Sequence, residues 1–312
     1  MTKLISLFAA GLLASAHAWA NPPLIFGSFA VANEPVEEPA EAARGGGRNA
    51  GPFSMVGFVA PGTARKEVSI ILIPGGGLTA QQYMSTHDGR PGWAQEFATA
   101  GYPTYMTGWP SPVSVYPGAP ADTGGNYQVD STWALWGLGP EYGESYPETK
   151  FPVDSLDGFN AMLRVETNSS GGAVMDQLMQ QLGDVVVLGH SAGGRNAFGM
   201  ASRYPEQVVG VIVAEPVPCP TDEALLKADF VDLDRPMLSL WGDNLDRGRP
   251  SMLTRYESCV TADNLISEMG GRAETIHLPS MGINGNTHLL MQDTNSSQIA
   301  GMVIDWLESE VD

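Results

Sequence analysis

The chain is poor in cysteine, histidine and positive charge. Its 312 residues include 2 Cys, 5 His and 16 Lys or Arg. These Cys and His are scattered rather than clustered at ligand spacing, so no metal site is expected. Against the 16 basic residues stand 35 acidic ones, a formal charge of −19. A surface that acidic repels phosphate backbones and anionic headgroups, which excludes general nucleic-acid binding. Beyond its first residues the sequence has no apolar run of about eighteen, so no stable membrane anchor is expected. What it does have is 43% hydrophobic residues, enough for a sizeable core and too many for global disorder. A single α/β unit accommodates the length.

Residues 1–20 read MTKLISLFAAGLLASAHAWA. Lys3 forms a positive start, Leu4 to Ser15 a short apolar stretch, and Ala16-His17-Ala18 or Ala18-Trp19-Ala20 a small-x-small cleavage site. That is the pattern of a secretory signal peptide, with a secreted or periplasmic destination. In an oxidising compartment Cys219 and Cys259 are expected to pair.

Residues 21–53 read as a strand from Leu24 to Ala30 followed by a Pro-, Glu- and Gly-rich loop. Residues 54–312 form the expected main domain. Strands are predicted at Ser54–Ala60, Val68–Pro74, Pro103–Thr107, Asp184–Gly189, Val208–Glu215, Pro236–Gly242 and Glu274–Leu278. Runs such as VVVLG are apolar at every position, as in strands buried on both faces of a parallel sheet. Helices are predicted near 92–100, 172–182, 192–204, 255–269 and 296–309, giving a doubly wound, mostly parallel α/β sheet. Residues 110–165 break the pattern. They are rich in Gly, Pro and aromatics, including Trp133, Trp136, Phe151 and Phe159, and read as a cap over the strand ends and an apolar, partly covered pocket.

The segment DVVVLGHSAGGRNAFGM carries Gly189-His190-Ser191-Ala192-Gly193 between an apolar strand and a helical stretch. In that context Gly-x-Ser-x-Gly marks Ser191 as a nucleophile, since the flanking glycines clear space around a strained turn. An acyl-transfer site also needs two N–H donors for the oxyanion. The strand-turn-helix around Ser191 resembles that of the α/β-hydrolase superfamily, which implies one donor from the residue after the serine, here Ala192, and the other from the loop after the third strand, here Ile73-Pro74-Gly75-Gly76-Gly77, with Gly76 ahead of Gly77. The same resemblance implies a base after the last strand. His288 in GINGNTHLLMQD occupies that loop, whereas His277 falls inside the strand. His190 beside the nucleophile reads as a packing or hydrogen-bonding residue, and His87 has no assigned role. Two acids are candidates to orient the base: Asp243 in SLWGDN and Glu215 at the end of VIVAE.

On these residues the chain resembles the α/β-hydrolase superfamily over most of residues 54–310. Its oxyanion loop is similar to the family's HGGG-type loop, with Pro74 where many relatives carry His. LIPGGGLT, DGRPGW, GHSAGG, a strand ending in Glu-Pro, and GNTHLLMQD together resemble a branch of secreted bacterial esterases. That closer resemblance implies a Glu acid after the sixth strand, which selects Glu215 over Asp243. The implied activity is ester hydrolysis through a Ser191–Glu215–His288 triad without metal or organic cofactor. The expected partner is a small to medium, uncharged or hydrophobic ester. Peptidases, amidases and lipases share the machinery, and a non-catalytic binding protein on the same fold is the alternative of another class. The resemblance leaves a homodimer open, and no stretch of sequence marks an interface.

Overall fold

The computed structural model describes residues 23–32, 36–38, 47–49, 53–63, 65–109, 129–156, 159, 171–243, 245–246 and 251–311. The signal-peptide reading of residues 1–20 and much of the cap expected at 110–165 lie outside these residues.

An eight-stranded sheet organises the chain. Its strands are β1 (Leu24–Ala32), β4 (Phe53–Pro61), β5 (Ser69–Ile73), β6 (Thr104–Trp109), β7 (Val185–His190), β8 (Val208–Ala214), β9 (Met237–Trp241) and β10 (Ala273–His277). They lie side by side in the order β1-β4-β6-β5-β7-β8-β9-β10. The pairs β1–β4 and β4–β6 are antiparallel, and β6 through β10 run parallel. Each strand expected from the sequence appears with its ends shifted by no more than two residues. One region differs: within the segment read as a loop, β2 (Val36–Glu38) pairs antiparallel with β3 (Gly47–Asn49). Three-residue strands are too short to leave a periodic signal.

The helices are α1 (Gln81–Met84), α2 (Trp93–Thr99), α3 (Val129–Leu135), α4 (Gly171–Met179), α5 (Gly193–Arg203), α6 (Glu223–Leu226), α7 (Ser251–Glu268) and α8 (Ser296–Glu310). They cover both sheet faces. Ile70, Leu72, Val186, Leu188, Ile212 and Leu240 pack on one side with Phe97 of α2 and Ile299 and Val303 of α8. Ile71, Val185, Val187, Val211 and Met237 pack on the other side with Ala197 of α5 and Ala262 and Ile266 of α7. Strands β5, β7 and β9 are buried at every residue. This is why their sequences are apolar without alternation, each full side-chain burial contributing about 1.5–3 kcal/mol.

Cap residues 129–156 belong to the same core. Trp133, Trp136, Phe151 and Phe159 are buried with Leu289, Leu290 and Met291, and Trp133 also borders an open cavity with Tyr142, Val153 and Leu156. These aromatics join this segment to the body of the fold.

Candidate active site

The parallel register brings the site together at one end of the sheet. His190 at the end of β7 pairs with Ala214 at the end of β8. Ser191 and Glu215, the next residue of each strand, therefore leave the sheet side by side. Both adopt left-handed backbone conformations, with φ of 51° and 43°. Such a conformation costs a non-glycine residue about 1–3 kcal/mol and persists only where surrounding contacts enforce it. Here the Ser191 N–H donates to Ala214 O, and the Ser191 O accepts from Gly194 and Val217. The Glu215 N–H donates to Leu240 O on the next strand.

The glycines around Ser191 are demanded by packing. A methyl group on Gly193 would lie 2.5 Å from Ile73 O, and one on Gly189 would lie 2.4 Å from Gly193 O. The turn into α5 can therefore sit tightly against the end of β5.

The three glycines after β5 differ in what they do. A methyl on Gly75 would lie 2.7 Å from the His190 ring and 3.0 Å from Ser191 Cβ, so this residue is where the loop meets the Ser191 turn. Gly77 has φ of 77° and turns the chain. Gly76 lies between them, its missing Cβ 3.7 Å from Ala192 Cβ. Among the described residues, neither the Gly76 nor the Ala192 amide donates a backbone hydrogen bond outside helices and strands. Tyr83 Oη donates to Ile73 O at 3.0 Å and secures the loop's root.

His288 and Glu215 are both fully enclosed, and His288 Nδ1 lies 2.7 Å from Glu215 Oε2. The other carboxylate oxygen, Oε1, accepts from the Gly242 N–H at 2.8 Å. Burial pushes the Glu215 carboxyl up, to about 8; the Gly242 N–H acts in the opposite direction and the Asp243 charge adds to the rise. The Asp243 carboxylate accepts from the Asn286 N–H at 3.0 Å, and its own N–H donates to Asn286 O. His190 places Nε2 2.8 Å from His288 O, with the two rings 4.7 Å apart. His277 ends β10, with Nδ1 2.8 Å from Ser280 Oγ.

The loop carrying His288 is buried from Gly285 to Asp293, although it has no ladder to satisfy its backbone. Its partners come from elsewhere. The His288 N–H donates to Trp136 O and the Lys150 N–H to Gly285 O, joining the loop to the cap. Arg90 donates through Nη2 to Gln292 O and through Nη1 to Asp293 O and Ser296 Oγ. Gln292 Oε1 accepts from the His87 N–H, and the His87 ring bridges Gln292 Oε1 and Pro152 O. Asp293 accepts from the Thr287 N–H, the Thr287 hydroxyl and the Asn286 side chain. Sequence reasoning gave His87, Arg90, Gln292 and Asp293 no role. The motifs DGRPGW and GNTHLLMQD contain three of them, but spacing alone does not reveal that these motifs meet.

Cys219 and Cys259 form a disulfide with Cα atoms 4.9 Å apart, tying the segment after Glu215 to α7. Among the described residues, no group of three or more His, Cys, Asp or Glu forms a potential metal site. No helix among them is long and apolar enough to cross a membrane.

No protein-family model matches the chain. It is 24% identical to a probable secreted lipase, phiG, of a fungal species (strain ATCC 74256), covering 77% of this chain and 82% of that protein. Among solved structures, a novel bacterial esterase superposes with a TM-score of 0.77 and 25% identity, over 93% of this chain and 98% of that one.

Proposed function

This chain is an esterase- and lipase-like hydrolase of the α/β-hydrolase fold, and from that premise we propose that it cleaves carboxylic esters through an acyl-enzyme on Ser191. The observation that carries this reading is the buried 2.7 Å contact between His288 Nδ1 and Glu215 Oε2. With Nδ1 committed to the acid, Nε2 is the ring nitrogen that takes the proton from Ser191 Oγ as it attacks the ester carbonyl. The imidazolium then formed is stabilised by the buried Glu215 carboxylate beside it. The amides of Gly76 and Ala192 receive the oxyanion. His288 next protonates the departing alkoxide. Water, deprotonated by the same nitrogen, attacks the acyl-enzyme and releases the acid.

Small to medium uncharged esters suit a protein with a formal charge of −19, because its field disfavours anionic substrates. A secreted or periplasmic location is supported by the disulfide and by the relative named a secreted lipase. The test is hydrolysis of short-chain p-nitrophenyl esters by the wild type and Ser191→Ala. Turnover that Ser191→Ala loses is expected. Equal turnover by both proteins would overturn the assignment of the nucleophile.

A further inference from the structure

We infer that Asp293 is a positioning residue that fixes the turn bearing His288, an inference that rests on the catalytic reading of that histidine. Asp293 is fully enclosed, and both carboxylate oxygens are engaged by the two residues preceding the base. Oδ2 accepts from the Thr287 N–H at 2.8 Å and from Asn286 Nδ2 at 2.9 Å, and Oδ1 accepts from Thr287 Oγ1 at 2.8 Å. Thr287 Oγ1 in turn accepts from the Leu289 N–H at 3.1 Å. The amides on either side of His288 are thus both held by this one side chain, directly or through one hydroxyl.

Its reach extends to the acid. Asn286 donates its N–H to the Asp243 carboxylate, accepts from the Asp243 N–H and packs against Gly242, whose N–H holds Glu215 Oε1. Asp293 therefore connects the two loops whose meeting sets the His288–Glu215 distance. Its own main chain is anchored, since Asp293 O accepts from Arg90 Nη1 and the Ser296 N–H. An enclosed carboxyl is costly, and burial pushes this one up to about 7. Packing alone would be served by an apolar residue at this position. Three donors converging on one carboxylate instead define the direction of the turn.

The test compares wild type, Asp293→Ala and Asp293→Asn by the rate at which a fluorophosphonate labels Ser191 and by kcat per labelled molecule. Asp293→Ala is expected to lower both about 10- to 100-fold with KM nearly unchanged, the cost of a misplaced catalytic group. Asp293→Asn keeps an oxygen for the Thr287 N–H and an amide for Thr287 Oγ1, and is expected to recover most of the loss. If Asp293→Ala does not fold, Thr287→Val removes the hydroxyl link alone and is expected to lower kcat by a smaller factor. Variants with a lower melting temperature but unchanged kcat per labelled molecule would overturn the positioning role. Wild-type protein that takes no label would overturn the catalytic reading beneath it.

Discussion

The turn at Ser191 and the loop at His288 reach the same site by different physics. The first is built from its immediate neighbours: strand β7, two flanking glycines and the start of α5. The second has no regular structure from Gly282 to Asn295 apart from short turns, and is held by its own Asp293 together with side chains far away in sequence. Arg90 and Gln292, for instance, are 202 positions apart. A turn specified locally tolerates change elsewhere and fails when its own glycines change. A loop specified at a distance carries its tolerance in its partners.

The largest expected effect separates the two acids beside that loop. Glu215→Gln removes the carboxylate facing His288 Nδ1 and is expected to lower kcat about 10³- to 10⁴-fold. Asp243→Asn loosens only the Asn286 contact and is expected to cost far less. Steady-state kinetics of both variants measures the ranking, and the reverse order would reassign the acid.

Reducing the Cys219–Cys259 bridge frees a loop closed across 40 positions, and is expected to cost about 4 kcal/mol of stability by chain-entropy arithmetic. Initial activity under mild conditions is expected to persist, because Glu215 keeps its Leu240 and Gly242 hydrogen bonds. Thermal melts with and without reductant, beside initial rates, check both statements.

Two glycines of α5 sharpen the local half of the comparison. Gly193→Ala drives a methyl into the Ile73 carbonyl and is expected to cost about 1–3 kcal/mol together with activity. Gly199→Ala, with nothing within 4 Å of its new methyl, is expected to stabilise the protein by about 0.5–1 kcal/mol. Denaturant midpoints should move in opposite directions.

The smallest effect is graded and concerns the distant half. Burial raises the carboxyls of Glu215 and Asp293 to about 8 and about 7. A raised folded-state value means the native protein holds protons that the unfolded chain releases at lower pH. The resulting stability is fully present below the ordinary carboxylate range and is lost as pH rises through 7 to 8. Each group contributes a slope of up to about 1.4 kcal/mol per pH unit between its two values. Activity is expected to move the other way, rising with pH as the Glu215–His288 pair loses its extra proton. Denaturation curves and kcat at about pH 5.5 and about pH 8.5, on either side of that window, check the opposed trends.

Legibility in the sequence follows the same division. VVVLGHSAGG exposes its strand, turn and helix because each is dictated by adjacent residues, and the sheet's other strands are readable for the same reason. Glu215 was ambiguous with Asp243 on residues alone, since both end strands pointing at the site. The 2.7 Å approach of Glu215 to His288 is a contact that appears only in three dimensions. The junction of Arg90, Gln292 and Asp293 was invisible because no local pattern encodes contacts across the chain. For the aromatics of residues 129–156, composition marks burial, while packing sets which of them face the core and which border a cavity.

The most direct measurement of the central claim is a fluorophosphonate reaction with the wild-type protein, the adduct located by peptide mass spectrometry. Stoichiometric label on Ser191, lost in Ser191→Ala and slowed in Glu215→Gln, is the expected result. Folded protein that takes no label, or takes it on another residue, would contradict it.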